Sequence, residues 1–298
     1  AQQYNDYREG VRESLLAGGD VTTYNHQVNG TYKLPLDKFP LTDWVSSDAR
    51  YQSSFRWDRA PFAQDTLGNT IQNSRNLSLN AQANFKNFYN KVPYLKEINN
   101  KRRPRPSDRN VSNEKRDGFG NIEEDDEKEK KDINPLEHIL RFAMGLHNVS
   151  GTFARNEGTM LTGYAQRATY GGFDKELVAP GLPFLLGHQW TDAYGNGFGD
   201  GTFAHQAADN GWLVQQPYLN NQYTETYSEN VNVRANLEPI RDFKIEVTAN
   251  RNLSKNYQSF FRWDEDLQDY VSESANETGN FTATVFTWPT AFVDDDST

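Results

Sequence analysis

The sequence predicts an all-β fold: an antiparallel transmembrane β-barrel segment of about seven long strands, with long loops and a charged insertion. Three observations predict it. Apolar and polar residues alternate with a period of two over unusually long stretches. The chain is only 36% hydrophobic yet 13% aromatic, so it has little material for a core but many amphipathic rings. The connections between alternating stretches are unequal, short with proline at one end and long at the other. Successive side chains of a strand point to opposite faces, so each stretch carries one apolar and one polar face.

In 21–34 the apolar positions Tyr24, Val28, Tyr32 and Leu34 share one parity, and Thr23, Asn25, Gln27, Asn29, Thr31 and Lys33 hold the other. In 45–57 Val45, Ala49, Tyr51, Phe55 and Trp57 alternate with Ser46, Asp48, Arg50, Gln52 and Arg56. In 76–86 Leu77, Leu79, Ala81, Ala83 and Phe85 oppose Asn76, Ser78, Asn80, Gln82, Asn84 and Lys86. A fourth strand is expected over 139–155; its parity changes between Leu146 and Val149, which predicts a β-bulge near His147. The fifth covers 223–237 and the sixth 243–263, with Asn232, Arg234, Asn250 and Asn252 on their polar side. A seventh, shorter one ends at Phe281, Ala283 and Val285. Ordinary globular strands run about 5–6 residues. Fourteen residues at a tilt near 40° span roughly 35 Å, enough to cross an outer-membrane apolar band of about 25 Å.

The connections assign sides. Pro35 to Asp43 and Glu238 to Asp242 are short, and proline ends the preceding strand because it lacks a ladder N–H. The connections 58–75, 156–222 and 264–279 are long and lie at the other end. Outer-membrane barrels have short periplasmic turns and longer extracellular loops, so 35–43, 238–242 and the segment 88–138 are expected on the periplasmic side. A small repeat runs through the same ends. Pro40-Leu-Thr-Asp-Trp44 parallels Pro239-Ile-Arg-Asp-Phe243, and Tyr51-Gln-Ser-Ser-Phe-Arg-Trp-Asp58 parallels Tyr257-Gln-Ser-Phe-Phe-Arg-Trp-Asp264. Either two β-segments coincide by chance, or Tyr51, Trp57, Tyr257 and Trp263 belong to an aromatic girdle at lipid-headgroup level.

Two segments stand apart. The stretch 99–133 is expected to be a disordered periplasmic insertion: residues 101–132 hold 20 charges in 32 positions, ten of each sign, and such a run cannot bury enough surface to offset ordering entropy. Its functional alternative is a docking tail for a periplasmic partner. Residues 93–98 and 135–139, on its flanks, read as helical turns, and 4–16 as an amphipathic helix. The glycine-rich stretch 156–222 is expected to be a long extracellular-side loop. It contains a short helix from a Thr202 cap through Ala208, with Gly211 past its end. Phe203 and Trp212 are its candidate contact residues, in a cap or contact surface near a pore mouth. The insertion is neutral, so the net charge of −10 belongs to strands and loops. The first residues, Ala1-Gln-Gln-Tyr4, are neither an initiator methionine nor a signal peptide, and the chain reads as an internal section of a longer one.

Several chemistries are excluded or unsupported. With no cysteine there is no disulfide framework and no Cys-ligated metal. A net acidic chain is a poor general binder of nucleic acid. The five histidines make no metal-spaced pair, and no catalytic or phosphate-binding motif is present, so neither cofactor nor catalytic residue is expected. Asp192 and Asn196, beside the run Gly195 to Gly201, could offer oxygens to calcium; the plainer reading is a flexible loop. The informative feature is the polar strand face. Asn76, Asn80, Gln82, Asn84, Asn232, Arg234, Asn250 and Asn252 are candidates to line an aqueous lumen, with the apolar parity turned to lipid.

Several longer motifs resemble a known family. Tyr24-Asn-His-Gln-Val28, Lys33-Leu-Pro-Leu-Asp-Lys-Phe-Pro-Leu-Thr-Asp-Trp44 and Asn69-Thr-Ile-Gln-Asn-Ser-Arg-Asn76 carry the resemblance. Tyr89 to Leu95, Glu157-Gly-Thr-Met-Leu-Thr-Gly-Tyr164, Asn210-Gly-Trp-Leu213 and Tyr227-Ser-Glu-Asn-Val-Asn-Val-Arg234 continue it nearly end to end, leaving out 101–132. The chain resembles the SprA/Sov family, the outer-membrane translocon of the type 9 secretion system and gliding motility in Bacteroidota. The resemblance implies a very large single-chain barrel whose wide pore passes folded client proteins outward. It also implies a plug protein on the periplasmic side and a shuttle-type barrel partner at a lateral opening, and no catalytic residues. The alternatives are a TonB-dependent receptor or porin-type barrel for small solutes, which shares the strand physics, and a secreted β-sandwich adhesin.

Overall fold

The computed structural model describes residues 21–101, 139–140, 142–192, 195–240 and 243–284, together with Arg12. The helix expected over 4–16 (Arg12 apart), the charged insertion from residue 102 onward, the turn at 135–138 and the strand end at Val285 lie outside the described residues.

Seven strands form one antiparallel sheet in chain order, each paired with its sequence neighbours. They are β1 (Thr23–Leu34), β2 (Val45–Asp58), β3 (Asn69–Asn84), β4 (Leu146–Tyr164), β5 (Tyr223–Ile240), β6 (Phe243–Asp264) and β7 (Asp269–Ala283). The helices that flank them include α1 (Phe85–Lys91), α2 (Pro93–Lys101), α3 (Leu182–Leu185) and α4 (Thr202–Asp209). Among the described residues no helix is long and apolar enough to cross a membrane.

The expected bulge is present. Leu146 faces Leu237 and Asn148 faces Asn236, so His147 is the extra residue in the β4–β5 register. The helical turn expected at 93–98 is the first part of α2.

Other boundaries differ, each for a physical reason. β3 begins at Asn69, not Asn76, so the preceding connection shrinks to 59–68. The missed residues include Asn73 and Arg75, whose polar side chains break the alternation. β4 runs from Leu146 to Tyr164, not over 139–155. Ile139, Leu140, Phe142 and Ala143 are helical instead, a short apolar run in which periodicity does not separate helix from strand. The long connection is therefore 165–222. The connection expected over 264–279 is only Glu265 to Gln268, where the Asp264 side chain accepts from Asp266 N at 2.8 Å and Leu267 N at 3.0 Å. Pro239 does not stop β5 but sits where the β5–β6 register slips between Leu237 and Ile240, a bulge position that tolerates a missing N–H. Thr202 is the first residue of α4, not its cap; Gly201 occupies the cap position and Gly211, at φ +68°, follows the helix.

The apolar core lies at the end of the sheet where β2, β4 and β6 finish. Phe55, Trp57, Ile71, Leu161 and Phe261 from the strands pack against Phe184, Leu185, Phe203 and Trp212 from 165–222. A smaller cluster of Tyr89, Met144, Phe85, Phe88, Leu95 and Leu140 seats α1 and α2 at the opposite end.

Candidate functional site

The two faces of the sheet differ throughout its width. One cross-strand row runs Asn29, Gln52, Asn76, Asn156, Ser228, Ser254, Asn280, one residue from each strand and none of them apolar or charged. All eight candidate lumen residues fall on this face. Asn80 donates to Asp48 Oδ2 at 3.0 Å, Gln82 to Asn148 Oδ1 at 3.4 Å, Asn232 to Thr152 Oγ1 at 3.4 Å and Asn252 to Thr282 Oγ1 at 3.2 Å. Asn76 donates to Asn156, and Arg234 pairs with Glu246 at 2.9 Å. Asn250 is paired with Asn232 in the register. Asn84 also ends its strand, and its Oδ1 accepts from Asn87 N at 3.3 Å and caps α1. The face is hollowed by a trough of about 500 Å³ that spans five strands and includes Gln52, Ser54, Asn76, Asn156, Ser228 and Ser254 in its lining.

The opposite face divides along its length. Towards the α1 end, Leu79, Val233, Ile245 and Val247 stand bare, with Val247 half exposed. Ala49, Ala81, Ala83, Val149, Phe153 and Ala235 share this apolar belt. Towards the other end the face is covered by the connection 165–222, which lies back across it and bonds to strand after strand. His26 Nε2 lies 2.8 Å from Leu185 O, Tyr51 donates to Leu186 O, and Trp57 Nε1 donates to Gln166 O at 3.1 Å. Asn73 Nδ2 reaches Phe184 O and His188 O, and Thr159 Oγ1 donates to Gln189 Oε1 at 2.7 Å. Gly199 N donates to Glu225 Oε2 at 2.8 Å, His205 stands edge-on to Phe261, and Tyr270 donates to Leu213 O at 3.0 Å. All seven strands are engaged. Inside the connection Phe184 and Phe203 stack with centroids 4.1 Å apart. Gly187, at φ +82°, comes so near β2 that a Cβ there would lie 2.5 Å from Ser53 Cβ.

Two charged rows lie where the covered half meets the bare half. Arg75 binds Glu157 Oε2 through Nη2 at 2.5 Å and Nε at 3.0 Å, while Glu157 Oε1 accepts from Thr191 at 2.5 Å. Glu229 collects Arg155 at 3.4 Å, Arg251, and the Tyr227 hydroxyl at 2.9 Å. Arg155 and Glu229 side chains are 10% and 11% exposed, so this is a covered pair whose charges depend on one another. Arg155 also donates to Asp192 O at 3.2 Å and stacks its guanidinium over Tyr227. His188, on the connection, is held below the ordinary histidine pKa by burial first and by Arg75 second, with Glu157 pulling the other way.

Two sequence expectations change here. Of the girdle candidates, Trp57 is 1% exposed in the core and Tyr257 packs against it, so neither faces outward as a bare ring. Tyr51 is tied to Leu186, and Trp263 sits edge-on to Tyr270. Trp57, Tyr257 and Tyr51 thus pack under or bond to the long connection, and the girdle assignment is corrected for these three. Phe203 and Trp212 are buried, so they fasten the connection to the sheet rather than offer a contact surface. Asp192 accepts from Asn196 through both carboxylate oxygens, at 2.9 Å from its N and 2.7 Å from its Nδ2, which closes the loop on itself. Among the described residues no group of three or more His, Asp or Glu could hold a metal ion. Sequence reasoning misses Asn73, Arg75, Thr159, Glu157, Gln189 and Glu229. For the five on strands, the signal that could have found them is a polar or charged residue at a parity that is apolar further along the same strand; Gln189, on the connection, carries no such signal. A scan against protein-family models and a search of curated protein sequences both return no match to the chain.

Proposed function

We propose that the chain is part of the wall of an outer-membrane β-barrel. Following its resemblance to the SprA/Sov family, we assign that barrel as the protein-conducting pore that exports folded client proteins by type 9 secretion, in support of gliding motility. The observation that carries the barrel reading is the opposition of the two faces: a hollowed face of amides and hydroxyls, and behind it a bare belt of Leu, Val, Ile and Ala. In a barrel the first lines an aqueous lumen and the second meets lipid. A soluble adhesin would leave that belt in water, a contiguous apolar patch that monomeric soluble proteins rarely show. The lumen face is almost uncharged along its middle row, which suits passage of clients of either sign. In this reading a plug protein on the periplasmic side and a shuttle-type barrel partner at a lateral opening complete the gate, and no cofactor takes part.

Two experiments test it. The full-length protein should fractionate with the outer membrane and show heat-modifiable migration on gels; recovery in the soluble fraction overturns the barrel. Its deletion should strand client proteins in the periplasm. Intact client export with lost uptake of a small solute would instead establish the receptor or porin reading.

A further inference from the structure

We infer that the bilayer contacts only the bare half of the apolar face, and that the half covered by 165–222 stands clear of the membrane as a hydrated wall. The inference rests on the barrel reading and adds where lipid begins and ends.

The backbone of 165–222 decides the upper limit. Apart from α3 and α4 its described residues are irregular, and its outer surface exposes Lys175, Glu176, Asp192, Asp200 and Asp209. Lipid-exposed irregular backbone does not occur within a hydrocarbon region, because its N–H and C=O groups find no partner there. Acyl chains therefore cannot lie against the outer side of this connection. They cannot lie beneath it either, since its inner side is filled by Phe184, Leu185 and Phe203 packed on Phe55 and Ile71.

The remaining belt has the right height. On β6 it runs from Phe243 through Ile245, Val247 and Ala249 to Leu253, interrupted on that face by Arg251 alone. Ten residue steps at about 3.3 Å and a tilt near 40° rise about 25 Å, the thickness of the apolar band of outer-membrane barrels. Its upper limit coincides with Arg75–Glu157 and Arg155–Glu229–Arg251, where charge reappears on this face. The Arg251 side chain, 45% exposed, sits where it can reach the headgroup layer. At the lower end Trp44 packs on Phe85 and Phe88, with centroids 5.1 and 5.0 Å apart. Amphipathic rings favour a membrane–water boundary.

The chain has no cysteine, so single cysteines report without background from this segment. In the full-length protein in its native membrane, cysteines would replace Val233, Ala235, Val247 and Ala249 on the belt, and Leu177, Leu182 and Asp209 on the outer side of the connection. Each is treated with a membrane-impermeant maleimide on intact cells. Each is then labelled with a fluorophore in the purified protein, which is reconstituted with tail-brominated phospholipid. The expected result is that belt positions resist the maleimide and are quenched by bromolipid, while connection positions label and are not quenched. Quenching of the connection positions as well as the belt would overturn the inference and leave the barrel reading standing. Free labelling of the belt positions without quenching would overturn both.

Discussion

Asn73 of β3 and Gln189 of the long connection are joined amide to amide: Gln189 Nε2 donates to Asn73 Oδ1 at 2.8 Å, and both residues are 4% exposed. Asn73 in turn donates to Phe184 O and His188 O, at 3.0 and 3.1 Å. One strand amide thus satisfies three groups of the connection in a place that water does not reach. Asn73→Leu removes all three partners at once. A buried group left unpaired costs about 1–3 kcal/mol, so a loss of about 3 kcal/mol is expected in the docking of 182–191. Hydrogen exchange should show faster opening there and little change in the apolar belt.

Glu229 holds two arginines and a tyrosine hydroxyl. Glu229→Gln keeps the shape and removes the charge, leaving Arg155 and Arg251 side by side without their shared carboxylate. Removing one partner of a covered ion pair costs about 3–5 kcal/mol, and the value belongs at the low end because Arg251 is partly exposed. Combining Glu229→Gln with Arg251→Gln should recover part of the loss. Additive losses in a double-mutant cycle would show that the pair does not couple.

Neighbouring residues on β5 should respond oppositely to the same change. Val233 belongs to the bare belt and Asn232 to the amide face. Arginine on the lipid face of a barrel costs about 2–4 kcal/mol near the midplane. Val233→Arg should therefore lower the yield of membrane-assembled protein, and Asn232→Arg should leave it near wild type. Equal effects, measured as the folded band on unheated gels, would contradict the assignment of faces.

The docking of the connection is expected to respond to pH through His188. Its pKa in the folded protein is lowered, so the opened connection binds a proton more readily than the closed one. The stabilisation is full above the ordinary histidine pKa of about 6.5 and is lost as pH falls from there towards the lowered value. Exchange of amides in 185–191, corrected for intrinsic chemistry, should accelerate on acidification across that window. His188→Gln should flatten the response.

The strands are legible in the sequence where one face is solvated and the other is bare. Leu77, Leu79, Ala81 and Ala83 against Ser78, Asn80, Gln82 and Asn84 leave no other period to choose. Legibility fails where the connection covers the sheet. There Asn73, Arg75, Glu157, Thr159, Glu225 and Glu229 stand at parities that are apolar elsewhere, because their partners come from residues far away in the chain. Alternation reports solvent against oil, and a covered polar layer is neither. Hence alternation alone starts β3 too late, ends β4 too early, and turns Trp57 and Tyr257 towards lipid. The eight amide-face residues need only parity, and parity is enough to place them together.

The long connection leaves the sheet between β4 and β5, yet it is fastened as far out as His26 on β1 and Tyr270 on β7. A sheet held only by ladder bonds between neighbours bends easily about axes parallel to its strands. A brace anchored at both outer strands resists that bending, because any change of curvature must slide Phe55 and Phe261 past the stacked rings of Phe184 and Phe203. Close-packed interiors respond to such shear as solids. On these contacts the sheet is expected to be stiffer at its braced end than at its bare end. In the proposed pore wall, the braced end would keep its curvature while the bare end yields.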